Sequence, residues 1–373
     1  MRVLFWSEQF WPKIGGIEVW GTRLLQALRE RGYEYTVIAS CDDPALPDRD
    51  RYEGIPVYRF PFWNALAARN VGQLAEITRA IEKIKRAVEP DLVHLNLTGP
   101  SVYFHLQTAA ADRAPLLVSL HQPLENQSTR PDSIVSRILR SAGWVTAASE
   151  MVHGTARQIL PEITPRSSLI QFGFDARDAE PAPLPLDQPR LLCLGRHLFE
   201  KGFDLAIAAF STLVRRFPEL RLIIASDGPA RPDLERQTAE LGLTGAVDFI
   251  GWVEAAGIPA LLNSATLVLM PSRVIEGFGL VAMEAAMMGR PVVATRSGGL
   301  PEVVIDGKTG LIVDKEDSDG LAAAVSYLLD HRDVAVKMGH AARTRAQAMF
   351  GWERHVDAFD SLYRRLAANV PRD

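Results

Sequence analysis

Two kinds of hydrophobic pattern alternate along the chain. Short unbroken apolar runs, such as Arg2 to Trp6, Tyr35 to Ala39, DLVHLN and PLLVSLH, read as parallel strands buried on both faces. Between them, apolar residues return every three or four positions, the period of a helix with one buried face. Val19, Leu24, Leu25 and Leu28 do so before Gly32, and Leu74, Ile77, Ile81, Ile84 and Val88 do so across 69–88. GIPVYRF predicts a further short strand, Ser101 to Ala110 a helix, and WVTAASE a strand leading into a helix that ends near Leu160. This alternation predicts a doubly wound α/β domain over residues 1–173. It then pauses: the segment from Gly173 to Pro189 carries four prolines and predicts a semi-rigid linker over 174–189. From RLLCLG it restarts, with LRLIIAS, VDFIG, ATLVLM, PVVAT and LIVD as strands, and predicts a second domain over 190–351. The tail predicts three helices, near Gly320 to Leu329, Val334 to Met349 and 352–373.

Composition narrows the function classes. A chain of 373 residues leads to the expectation of two domains, each able to bury a core. A net charge of −4 gives no reason to expect nucleic acid as a partner. Cys41 and Cys193 share no metal-type spacing and read as reduced thiols. The opening MRVLFWSEQF enters a strand at once and does not read as a signal peptide. No apolar run approaches the ~20 residues of a bilayer span, so a cytoplasmic protein is expected. The helix of 69–88 carries Arg79, Lys83, Lys85 and Arg86 away from its apolar stripe. That pattern is either a core stripe with a solvated face or a helix in peripheral contact with an anionic membrane.

The densest chemistry lies between Pro271 and Val304. Gly277, Phe278 and Gly279 follow Glu276, and a helix is expected to open at Gly279 or Leu280 and to carry Glu284. Glycine lets backbone amides approach a ligand closely, and a helix N-terminus favours a phosphate. Two carboxylates beside such a phosphate can accept hydrogen bonds from sugar hydroxyls. A molecule with hydroxyls at both ends and phosphates between them is a nucleotide-sugar. Arg196, just past a strand, and Lys201, just before a helix, supply cations that suit a diphosphate. Gly15 and Gly16 fall in the first strand-to-helix loop, which suits either phosphate approach or a plain turn. His121 ends a strand ahead of a proline-led loop. Phe10, Trp11, Trp20, Phe62 and Trp63 suit either an apolar acceptor site or the core. Asp317-Ser318-Asp319 is read as acidic capping of a helix, not as a metal motif.

In this order and spacing, PKIGGIE, DLVHLN, SLHQP, LGRHLFEKGFDLAI, IIASDGP, VDFIGWV, the Glu276-to-Glu284 block, GGLPEVV and TGLIV resemble the retaining GT-B glycosyltransferases of family 4, the glycosyl transferases group 1. The resemblance implies two Rossmann-like domains facing across a cleft, with the donor bound mainly by the second and the final helix packing back on the first. It implies that Arg196 and Lys201 hold the donor diphosphate, Glu284 the ribose and Glu276 a sugar hydroxyl. The amides of Phe278, Gly279 and Leu280, helped by Gly277, Gly15 and Gly16, would line sugar and phosphate. Trp252 and Val253 would lie beside the nucleobase, and His121 beside the donor sugar. No metal and no other cofactor are expected. A UDP-sugar is favoured as donor, with GDP-mannose next, and the acceptor would be a lipid-linked, polysaccharide or small-metabolite hydroxyl. Phe172-Gly173-Phe174-Asp175, Ser226-Asp227-Gly228-Pro229 and Asn96 depart from the usual pattern without removing a charged donor contact. A nucleotide-sugar epimerase, a phosphorylase and a non-catalytic sugar-nucleotide binder are the alternatives on the same scaffold.

Overall fold

The computed structural model describes residues 1–12, 15–41, 43, 45–97, 99–124, 130, 132–174 and 180–368. The chain forms two compact units, one of residues 1–172 with the segment from 353 onward, the other of residues 173–352.

The first unit is built on an eight-stranded sheet. Its strands are β1 (Arg2–Ser7), β2 (Glu34–Ser40), β3 (Arg49–Tyr52), β4 (Ile55–Phe60), β5 (Leu92–Leu97), β6 (Leu116–Leu120), β7 (Trp144–Ala147) and β8 (Ser167–Leu169). Their order is β3-β4-β2-β1-β5-β6-β7-β8, and all neighbours are parallel except β3 and β4. The polar RDRY of β3 carries no strand-like apolar run, so its pattern concealed it. A turn at Glu53 and Gly54, both at positive φ, pairs it to β4 as a hairpin. The helix Phe62–Ala68 was also not expected, being too short to show a period.

The helix Val71–Val88 turns Ile77, Ile81 and Ile84 into the core, and Asn70 caps it by accepting from the Gln73 amide at 3.2 Å. The stripe that a membrane would take is therefore already buried. Lys85 is buried too, in contrast to the solvated face expected for it. Its ammonium lies 3.0 Å from Asp112 and donates to the Thr108 carbonyl at 3.1 Å. No helix among the described residues is long and apolar enough to cross a membrane.

The final helix, Trp352–Ala368, contributes its residues from 353 onward to this unit. It is fixed by buried polar pairs. Trp20 Nε1–H donates to His355 at 2.6 Å, Tyr363 Oη is 2.6 Å from His94 Nδ1, and Tyr33 Oη donates to the Asp360 carboxylate. Phe10, Trp20 and Phe62 are core residues, whereas Trp63 is exposed.

The second unit has six parallel strands: β9 (Arg190–Leu194), β10 (Arg221–Ala225), β11 (Val247–Gly251), β12 (Leu267–Met270), β13 (Val292–Thr295) and β14 (Gly310–Val313). Their order, β11-β10-β9-β12-β13-β14, is the doubly wound 3-2-1-4-5-6 arrangement. Residues 175–179 of the expected linker lie outside the described residues. Residues 180–189 form neither helix nor strand and belong to this unit. Asn263 Nδ2 donates to the Glu180 carbonyl at 2.8 Å, and the buried Arg290 guanidinium donates to the carbonyls of Ala182, Pro183, Ala265 and Met288. Burial pushes Arg290 down to about 10.

Candidate active site

In an open α/β sheet, ligands bind beyond the carboxyl ends of the strands, where the strand order reverses. In the second unit that point lies between β9 and β12. The loop after β9 carries Arg196 and Lys201, and the loop after β12 carries Glu276 to Gly279.

Lys201 ends the short 3₁₀ turn Phe199–Lys201, and Gly202 follows at φ +69. A Cβ on Gly202 would run into the Pro271 carbonyl, so glycine lets the two loops touch. Arg273 fastens the same junction. It stacks 4.1 Å from the Phe199 ring centroid, donates to the Phe199 carbonyl at 2.9 Å, and grips Asp204 through both terminal nitrogens at 2.6 and 2.7 Å. Lys201 Nζ consequently donates to Glu276 Oε1 at 2.7 Å, and the buried Ser272 hydroxyl donates to the same oxygen at 2.6 Å. Arg196 is exposed and makes no ion pair among the described residues.

The second glycine loop crosses the first. Gly299 N donates to the Glu276 carbonyl at 2.8 Å, and a Cβ on Gly298, at φ +54, would run into that same carbonyl. A Cβ on Gly299 would likewise come within 2.8 Å of the Gly277 carbonyl and of Phe278 Cα. Phe278 is buried edge-on against Phe350, 5.4 Å between centroids, which anchors the loop beneath its amides. Gly279 caps the helix Leu280–Met287, so that N-terminus opens beside Glu276, and Glu284 is half-buried on the helix. Trp252 and Val253 follow β11; Trp252 is 48% exposed, with its Nε1–H donating to Glu254 at 3.2 Å. The structure thus joins Lys201, Glu276 and the Gly277–Leu280 segment. Ser272 and Arg273, which hold them, escaped the sequence reading, because neither type at that spacing signals a ligand. Asp317 accepts from the Gly320 amide at 2.7 Å and caps its helix. Among the described residues no cluster of three or more His, Cys, Asp or Glu could hold a metal ion.

In the first unit the order reverses between β1 and β5, with β6 next. Gly15 caps the helix Gly16–Glu30, but its φ of −158 is ordinary extended backbone. The Glu18 carboxylate lies where a Gly15 Cβ would project, so this N-terminus already faces a carboxylate. Lys13 and Ile14 of the same loop, and residues 125–126 of the loop after His121, lie outside the described residues. His121 is buried, its ring 4.7 Å from Trp20 and 5.3 Å from Phe172 between centroids. Burial, with His355 nearby, pushes it down to about 3, so the ring is neutral near pH 7.

Two Rossmann-like units, one of them with a glycine-bracketed helix N-terminus and a Lys–Glu pair at its switch point, define the class as a GT-B glycosyltransferase. The profile described as Glycosyltransferase Family 4 matches residues 14–177, and that described as Glycosyl transferases group 1 matches 175–345. The chain is 31% identical to a glycogen synthase of Mycobacterium tuberculosis, over 97% of this chain and 94% of that protein. It is 29% identical to a GDP-mannose-dependent alpha-(1-6)-phosphatidylinositol monomannoside mannosyltransferase of the same organism, over 94% of this chain and 95% of that one. In structure it is similar to a sucrose-phosphate synthase of Thermosynechococcus elongatus, with a TM-score of 0.82, 24% identity, and coverage of 99% and 100% of the two chains. The chain belongs to glycosyltransferase family 4, the glycosyl transferases group 1.

Proposed function

We propose that the chain transfers a sugar from a nucleotide-sugar to an acceptor hydroxyl with retention of configuration and without a metal ion. The observation that carries this reading is the Lys201–Glu276–Ser272 cluster beside the helix N-terminus at Leu280. As the anomeric bond breaks, negative charge grows on the leaving diphosphate. Arg196, Lys201 and the amides at Phe278, Gly279 and Leu280 stabilise that charge from fixed positions. Glu276 accepts from a sugar hydroxyl and Glu284 from the ribose. Trp252 and Val253 flank the base. His121, neutral and unable to act as an acid at pH 7, orients the sugar. The leaving phosphate takes the acceptor's proton during attack on the same face. A UDP-sugar is the favoured donor and GDP-mannose the next, the latter being the donor in the name of one relative.

Calorimetric titration of UDP, GDP and ADP, without metal, into wild type and Lys201→Ala tests the donor site. One nucleotide should bind, and the variant should weaken it by about 10²-fold. No binding of any nucleotide would sink the assignment. Incubating UDP-glucose or GDP-mannose without an acceptor separates transfer from epimerisation, which alone would rebuild the sugar.

A further inference from the structure

Arg196 is exposed with no ion pair among the described residues, so whatever fixes it in advance must act through its backbone. Gly195 before it has no side chain to anchor. His197 after it is fully buried. Its ring lies edge-on to Phe203 of the helix Phe203–Leu213 at 5.8 Å, and to Phe249 of β11 at 6.4 Å, between centroids. Its backbone is pinned as well. His197 N donates to the Asp227 carbonyl at 2.8 Å, and Ala230 N donates to the His197 carbonyl at 2.9 Å. The loop after β10 wraps this closely because Gly228 has no Cβ. One placed there, at φ +155, would come within 2.6 Å of the His197 carbonyl oxygen. Leu198 N donates to the Arg196 carbonyl at 2.8 Å, which closes a tight turn centred on His197 and fixes that carbonyl too.

Neither ring nitrogen of His197 reaches a hydrogen-bond partner among the described residues. Burial is the main influence on its titration and holds it below the ordinary histidine value, with the Ala225 carbonyl and Asp227 acting the other way. The ring is therefore neutral at pH 7. A buried polar group without a partner costs stability, so the nitrogens do not hold this loop. Shape, burial and the backbone bonds do.

We infer that His197 is a positioning residue for the donor diphosphate: with its ring plugged between Phe203 and Phe249 and its backbone bonded into the loop after β10, it holds Arg196 at the carboxyl end of β9 ready to meet a phosphate. This rests on the role given to Arg196 above. A cation on a loop that the ligand itself had to order would give back part of its attraction as lost freedom. A pinned turn removes that loss.

Calorimetric titration of UDP, GDP and ADP into the full chain, without metal, first finds the nucleotide that binds. For that nucleotide, Arg196→Ala and His197→Ala should each weaken binding about tenfold, and the double variant should be no weaker than Arg196→Ala, because His197 acts only through Arg196. His197→Phe, which fills the slot with no nitrogens to leave unpaired, should bind as wild type does and melt no lower. A merely structural His197 would lower the melting temperature in His197→Ala and leave the affinity of the folded protein alone. Unchanged affinity in His197→Ala would overturn the inference, as would losses that multiply to about a hundredfold in the double variant. So would a His197→Phe that binds as weakly as His197→Ala. His197→Val, which keeps part of the buried bulk, serves the same cycle if His197→Ala does not fold. Normal binding in Arg196→Ala would remove Arg196 from the site and the inference with it, while the Lys201→Ala titration judges the rest of the donor site separately. No nucleotide bound by wild type would sink both.

Discussion

Mild acid should unfold the first unit well before it affects carboxylates. His94, His105 and His121 are held down to about 3 and His355 to about 4, each chiefly by burial. All four belong to the unit of residues 1–172 and 353 onward. A histidine in the unfolded chain titrates near 6.5. Below that pH the unfolded chain binds protons that the folded one refuses, so stability falls as pH falls and continues to fall until the folded values are reached. Each such group costs about 1.4 kcal/mol per pH unit. At pH 5 the deficit is about 2 kcal/mol per histidine and about 8 kcal/mol for the four, comparable with a whole domain's stability of roughly 5–15 kcal/mol.

In the second unit His197 is held down as well, chiefly by burial. Urea melts followed by tryptophan fluorescence suit the comparison, because Trp6, Trp11, Trp20, Trp63 and Trp144 lie in the first unit and only Trp252 and Trp352 in the second. The fluorescence midpoint should drop steeply between pH 7 and pH 5. His105→Leu, which replaces a ring packed edge-on against Trp6, should flatten the pH slope by about a quarter. A midpoint that holds steady from pH 7 to 5 would show that these rings are not buried and neutral.

Two further outcomes concern the second unit. Glu276→Gln removes the charge that Lys201 pairs with, so UDP or GDP should bind at least as tightly while turnover falls by about 10²-fold; weaker calorimetric binding in this variant would contradict the pairing. Gly298→Ala places a Cβ against the Glu276 carbonyl at a φ of +54, and should cost about 2–4 kcal/mol in thermal melts and abolish nucleotide binding, whereas wild-type behaviour would mean the loops do not cross there.

The alternation of strands and helices was legible because parallel strands buried on both faces must be unbroken apolar runs. Elements without that constraint were not. The polar edge strand Arg49–Tyr52 needs only its turn and one neighbour, and Ser167–Leu169 is a three-residue edge. Lys85 was placed in solvent because period alone cannot foresee a carboxylate at Asp112, 27 residues on and across the fold. Within the candidate site, glycine and charge advertised Lys201, Glu276 and Gly279. The residues that hold them did not: Ser272 and Arg273 are ordinary in sequence and act only through partners that folding supplies.

Those partners explain how a site can be rigid before anything binds. An unpaired Lys201 beside an unpaired Glu276 would each need water or mobility to stay solvated, and a mobile charge must be reorganised during the reaction. Bonded to each other, and with Ser272 on the same carboxylate oxygen, both stay in place at little net charge. On the proposed reading an incoming diphosphate is drawn to Arg196, which makes no ion pair among the described residues, and to the helix N-terminus at Leu280. On that reading Lys201, with three ammonium protons, takes the phosphate as a further partner from where it stands, and Glu276 meets a sugar hydroxyl through its other oxygen. Loss of either residue should therefore be worse than loss of one contact, since it leaves the other charge unbalanced in the empty site, with the sign of the change in nucleotide affinity set by which charge remains.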